Sequence, residues 1–264
     1  MDIPSADTEA AVLGCVISGW GIALVAGVPF SALLSDLAGW RAPFAVLSLF
    51  ALVAGFGFSM LPKRSAKIYD TPPKSPASAL QTPGVFPLLI IRLAYMTAFY
   101  GIYAFLGDHL RSTLELSASK FGLVVLGYGA GFGLAGFADA TVDRLGPRRV
   151  FPTVLVLISG IYLALIPATQ NYITSIGIAV VWGFINHIGV NIIILLLSRF
   201  DPAARGALMG LHTAATYTSV FLGPLLLGML YSIGFGAMAL AASGLLLIAA
   251  FIAQGEITNG AEDK

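Results

Sequence analysis

Gly21–Phe44 reads GIALVAGVPFSALLSDLAGWRAPF, and Thr218–Met238 reads TSVFLGPLLLGMLYSIGFGAM. Each is an apolar run holding a glycine close to a proline, and each closes on a glycine–aromatic pair ten residues after that proline. Pro29 matches Pro224 and Gly39 matches Gly234 at one constant offset, which also sets Leu13 opposite Leu208. In a soluble protein such a Gly/Pro density would mark loops. Inside a run long enough to cross a bilayer, it marks close helix contacts and bends that neighbouring helices satisfy.

Composition says which solvent applies. Of the 264 residues, 58% are hydrophobic and only 10% charged, against about a quarter charged in soluble domains. Mean hydropathy is +0.90. The net charge of +1 does not form a basic patch, so nucleic acid is not an expected partner. The single cysteine, Cys15, excludes an intramolecular disulfide and a cysteine-based zinc site. There is no HExxH, no GxSxG and no close pair of intramembrane carboxylates, so no catalytic or metal apparatus and no cofactor is expected.

A spanning helix needs about 20 apolar residues. That ruler gives about eight spans, at roughly 11–34, 42–61, 86–106, 120–141, 150–168, 173–197, 207–230 and 235–253. Residues 1–10 form a short polar start and 255–264 a polar tail. The Pro/Ser-rich stretch 62–84 reads as an exposed linker. With that linker in the cytoplasm, Lys63, Arg64, Lys67, Lys74, Arg144, Arg148, Arg149, Arg199, Arg205 and Lys264 fall inside, and only Arg41, Arg111 and Lys120 outside. Both termini are then cytoplasmic.

Four spans precede the second copy of the quoted pattern, whereas only a short polar stretch precedes the first. Two readings follow. Either about four spans, on the order of 110 residues, have no counterpart in the first repeat, or the chain is a complete eight-helix protein with a chance similarity.

The Gly21–Phe44 run, with Gly27-Val28-Pro29 and then Gly39-Trp40-Arg41, resembles the fifth-helix motif of twelve-span major facilitator transporters, in particular the sugar-efflux and drug/proton antiporter branch. The loop FADATVDRLGPRR, Phe137–Arg149, is similar to that family's signature cytoplasmic loop, and RFDPAARGALMGLHTAATY to the start of its eleventh helix. Asp139 stands where a glycine is usual. The resemblance covers residues 9–254 and implies an all-α membrane protein whose eight spans correspond to helices 5–12 of the major facilitator fold. Residues 11–61 are then the fifth and sixth helices, 62–84 the central loop, and 85–254 a complete six-helix second half. It further implies a bacterial inner-membrane secondary transporter that exports a sugar-like or drug-like solute by alternating access, coupled to protons. The alternative is a transport-inactive fragment, or a half that needs another chain to supply the first four spans.

Within that resemblance, Asp139, Asp143, Arg144, Arg148 and Arg149 are expected to form a charge latch at the inner mouth, against a plain topology signal. Gly21, Gly27 and Pro29 are expected to pack at the contact between halves, against generic packing. Arg92 lies roughly 9 Å into its span and must justify an intramembrane charge. It either lines a cavity with Tyr95, Met96, Phe99 and Tyr103, binding an anionic or hydroxylated solute, or snorkels to the interface, and snorkelling is the favoured reading. Gly183, His187 and Asn191 share a four-residue stripe beside Asn186, expected either on the cavity or in an interhelical cluster. His212, Thr216 and Tyr217 form a similar stripe. No span carries a central Asp or Glu, so a coupling residue is expected in the missing first spans, with His187 the one central titratable candidate left in this chain.

Overall fold

Apolar runs of 20 to 30 residues with few charges can satisfy their backbone in lipid only as helices. The computed structural model describes residues 23–60 and 74–262, and all of its regular structure is helical, with no strand among the described residues. A π-helical turn, Ala23–Gly27, leads into α1 (Val28–Ala38), followed by α2 (Ala42–Ser59). Beyond the linker come α3 (Pro76–Leu80), α4 (Val85–Leu114) and α5 (Ala118–Leu134). A 3-10 turn, Ala135–Ala138, joins α5 to α6 (Asp139–Leu145). Then follow α7 (Pro147–Ala168), α8 (Tyr172–Phe200), α9 (Arg205–Tyr231) and α10 (Phe235–Glu262). Seven stretches among the described residues are long and apolar enough to cross a membrane, with α5 and α6 counted as one. This is a multi-pass membrane protein. The first expected span lies partly outside the described residues, as do Leu13, Cys15 and Gly21.

Contacts at helix ends fix the alternation of direction. On the linker side, Lys74 meets Asp201 after α8. On the far side, Asp108 of α4 accepts from the Tyr231 hydroxyl of α9, and His109 lies 3.0 Å from Thr169, just after α7. The helices pack as pairs: α9 on α4, α8 on α5 and α10 on α7, with α10 also against α4. Glycines set the tightest crossings. A Cβ on Gly183 of α8 would run into the Tyr128 carbonyl of α5, and one on Gly131 of α5 into the Val180 carbonyl of α8. Those two backbones are therefore in direct contact, as small residues permit in membranes.

The two stretches quoted first end alike. Gly39 (φ 84°) closes α1 and Gly234 (φ 145°) follows α9, and both turn the chain into the next span through positive φ. Pro29 sits in the first turn of α1, where a missing N–H is harmless, immediately after the π turn. Its close neighbour is Gly122 of α5, where an added Cβ would lie 3.4 Å from the Pro29 Cα and 3.1 Å from the Ala32 Cβ. A Cβ on Gly27, expected to make such an approach, would lie 3.9 Å from the Ala23 Cβ of its own turn and within 4 Å of no other residue among those described. No residue of α2 is buried, and Phe44, Phe50, Phe56 and Phe58 all project from it.

Residues 62–84 were expected to form an exposed linker; of these, 74–84 are described and most are exposed, but Pro76–Leu80 is a short helix whose Ala79 is fully buried against the bundle. Ser75 caps it by accepting from the Ser78 N–H, and Pro76 takes the first turn. Lys74 ties this segment to Asp201 at 2.6 Å.

Candidate functional site

Four helices, α4, α5, α8 and α9, enclose a cavity of about 410 Å³. From α4 come Arg92, Met96, Phe99, Tyr100 and Tyr103, spaced so that they share one helical face. Tyr128 and Phe132 of α5, Asn186 and Val190 of α8, and His212, Thr216 and Tyr217 of α9 complete most of its wall. The lining is largely aromatic with a few polar groups, in the size range of small-molecule sites.

Arg92 does not snorkel. It is only 3% exposed, and its guanidinium turns inward to α9, where Nε (3.2 Å) and Nη2 (3.0 Å) both donate to Thr216 Oγ1. That hydroxyl in turn donates to the His212 carbonyl at 2.8 Å, so its hydrogen and both lone pairs are committed. Arg92 Nη1 is buried with no hydrogen-bond partner among the described residues, and so is Nδ1 of His212.

A second polar chain crosses the opposite wall. The Tyr95 hydroxyl donates to Asn186 Oδ1 at 2.6 Å and lies 3.0 Å from the Asn186 carbonyl, and Asn186 Nδ2 donates to the Tyr128 hydroxyl at 2.6 Å. Tyr95 itself is wholly buried behind the lining and positions Asn186. Phe99 stacks with Tyr103 at 5.6 Å and also meets Tyr128 and Trp182, which makes a continuous aromatic floor.

Of the expected cavity residues, Arg92, Asn186, Thr216 and Tyr217 line it. His187 and Asn191 do not. Gly183 presses their stripe towards α5, and the neighbouring face, Asn186–Val190–Ile194, takes the cavity. His187 Nε2 lies instead 3.2 Å from Asp139 Oδ2 at the start of α6, with the Phe132 ring edge-on to the imidazole at 4.7 Å. The 3-10 turn between α5 and α6 carries Asp139 to this position. Asp139 Oδ1 and His187 Nδ1 are both buried without a hydrogen-bond partner among the described residues.

The other expected latch residues do not join Asp139. Asp143 faces Arg199 at 3.9 Å, both side chains being more than half exposed. Arg144 and Arg149 are exposed with no ion pair among the described residues, and Arg148 lies over the Phe200 ring at 5.8 Å. Tyr100, Tyr128 and Phe132 were missed as site residues. The recurrence of aromatics along one face of α4 and α5 was the available signal.

The sequence profile of the Major Facilitator Superfamily matches residues 2–199 and, in a second overlapping match, residues 88–256. The MFS-type transporter YwfA of Bacillus subtilis is 26% identical over 90% of this chain and 60% of its own length. A chloramphenicol resistance protein of Streptomyces lividans is 30% identical over 59% of this chain and 39% of its own. A probable sugar efflux transporter of Pasteurella multocida is 26% identical over 89% of this chain and 54% of its own. The chain thus spans less than two thirds of the length of these relatives. Membership of their family points away from an enzyme. With profile matches over nearly its whole length and helices that fit the fold, the chain belongs to the major facilitator superfamily.

Proposed function

We propose that the protein moves a small solute across the inner membrane of a bacterium by alternating access, as a proton-coupled secondary transporter working in the direction of efflux. The observation that carries this reading is the cavity around Arg92, a polar and aromatic chamber within the transmembrane part of the bundle. An arginine costs about 2.5–3.5 kcal/mol at the centre of a span, and charged residues within spans mark solute or ion pathways. Two relatives bear names that speak of chloramphenicol resistance and of probable sugar efflux, which supports drug-like or sugar-like substrates. The ten-to-three bias of basic residues supports cytoplasmic termini.

For coupling, the support is the Asp139–His187 pair. It is the one carboxylate–imidazole contact among the described residues, and each group keeps one buried atom without a hydrogen bond among them. The other charged side chains at this end of the elements around it are Asp143 and Arg144 on α6, Arg148 and Arg149 on α7, and Arg199 on α8, all exposed; Lys120 lies at the far end of α5, and the tyrosines of these helices are Tyr128, Tyr162 and Tyr172. Arg92 and His212 stand on the cavity. Because the pair joins α8 to the start of α6, a change in its protonation would bias the linker-side contact, where the Asp143–Arg199 pair is weak enough to break and re-form.

Flux of a radiolabelled solute into vesicles holding this chain, with and without an imposed pH gradient, tests the proposal. A gradient-dependent rate above empty vesicles, lost in Asp139→Asn, is the expected result. A rate insensitive to the gradient overturns the coupling. A second reading has transport depend on a further chain that supplies more spans, and the absence of any buried residue on α2 favours it. Under that reading, vesicles with this chain alone behave as empty ones, and activity returns when the second chain is added.

A further inference from the structure

The positive charge of Arg92 has no counter-ion among the described residues. Six carboxylate side chains are described, and each is accounted for elsewhere. Asp36 accepts from the Ser119 N–H, Asp108 from Tyr231 and Asp201 from Lys74. Asp139 faces His187 and Asp143 faces Arg199. Glu115 is exposed beyond the far end of α4. A buried charge without a partner is among the costliest arrangements a membrane protein can hold. Thr216, a neutral acceptor with its lone pairs filled, orients the guanidinium but leaves its charge uncancelled.

Arg92 lines the cavity, and the Nη1 corner of its guanidinium is buried with no hydrogen-bond partner among the described residues. Two of its five N–H groups bond to Thr216, and both on Nη1 are unused. Unpartnered His212 Nδ1 lies on the same wall, on the turn of α9 before Thr216. Across the chamber, the Tyr95–Asn186–Tyr128 chain passes donation forward, leaving the Tyr128 O–H as the last donor, with no acceptor among the described residues. Arg92 therefore stands at one end of a chamber whose other end is aromatic, where Tyr128 packs beside Phe99 and Tyr103. Phe99 stands seven residues beyond Arg92, about 10 Å along α4 at 1.5 Å per residue, and its ring stacks with Tyr103.

We infer that the cavity selects an organic monocarboxylate with a planar apolar body reaching about 10 Å from its acid group. The carboxylate meets Arg92 and the body lies on the Phe99–Tyr103 floor. One guanidinium edge matches a monoanion, since the fork geometry pairs with two carboxylate oxygens. This rests on the transporter reading for its biological sense, but binding itself requires no transport.

Equilibrium dialysis of the detergent-solubilised chain tests it, with benzoate, naphthoate and biphenylcarboxylate each compared with its own neutral amide. At least one acid is expected to bind about tenfold more tightly than its amide, equivalent to about 1.4 kcal/mol. Arg92→Met should bring acid and amide level, and Arg92→Lys, which keeps the charge but loses the fork, should retain part of the preference. Three results overturn the inference: no acid binds, acids and amides bind the wild type alike, or the preference is unchanged in the arginine variant that folds. A preference that stands while vesicle flux is absent refutes transport by this chain alone and leaves this inference intact. Flux without the preference does the reverse.

Discussion

Replacing Asn186 by leucine would separate the two duties of the buried polar chain. The substitution keeps side-chain size but removes the acceptor of Tyr95 and the donor to Tyr128, both at 2.6 Å. Tyr95 keeps a fallback, because its hydroxyl already lies 3.0 Å from the Asn186 backbone carbonyl. Tyr128 has none among the described residues, although its hydroxyl borders the cavity and can be hydrated. Interhelical hydrogen bonds in membranes average about 0.6 kcal/mol and reach about 1.7. Losing two, with one partly replaced, should destabilise the fold by about 1–2 kcal/mol. Tyr95→Phe should cost a similar amount, since it strands Asn186 Oδ1 in a buried site. The double variant should cost clearly less than the two single effects together, by about 0.6–1.7 kcal/mol, because the second change removes a group the first has already orphaned. Reversible unfolding in mixed micelles, followed by tryptophan fluorescence, supplies all four corners of the cycle. Additivity within about 0.5 kcal/mol would show that the two side chains do not act as a unit and would refute the chain.

Two further outcomes follow from the packing. Gly183→Ala should destabilise by about 1–3 kcal/mol, because its Cβ would collide with the α5 backbone, while Gly177→Ala on the same helix, with open space around it, should be neutral or slightly stabilising; equal melting temperatures for the two variants would contradict the crossing. At Asp201, the Lys74 ammonium and the Ala203 N–H hold the carboxyl below the usual carboxylate range. A lowered native pKa contributes stability above the ordinary value and loses it as the pH falls through the depressed one, so Lys74→Met should differ most from wild type near neutral pH and converge with it in acid. Thermal melts across that range check the sign, and the difference should be small throughout because the pair is solvated.

Hydropathy located the spans because length and apolarity suffice for that, and seven of the eight expected spans have a spanning helix among the described residues. Which face of each helix meets which neighbour was less accessible. On α8, the glycine at 183 and the polar residues at 187 and 191 were read as one stripe facing either the cavity or a neighbouring helix, and the glycine's own packing turns that stripe to α5 and gives the cavity to the adjacent face with Asn186. Gly127 and Gly131 on α5 were the clue, as a small-residue pair awaiting a partner. The inward turn of Arg92 depends on Thr216, 124 residues away, which local spacing does not show. The linker-end helix was hidden for a different reason. Pro/Ser content argued for a loop, although Ser75 followed by Pro76 is also a helix start.

The central claim, a hydrated solute cavity between α4, α5, α8 and α9, is tested most directly by cysteine accessibility along α4. With Cys15 changed to serine, single cysteines at Met96, Phe99, Tyr100 and Tyr103 should react with a water-soluble thiol reagent, and a bound aromatic acid should slow that reaction. Cysteines at Ala98 and Ile102, wholly buried on the other side of the same helix, should not react. Equal labelling of both sets, or no labelling at the four lining positions, would contradict the account.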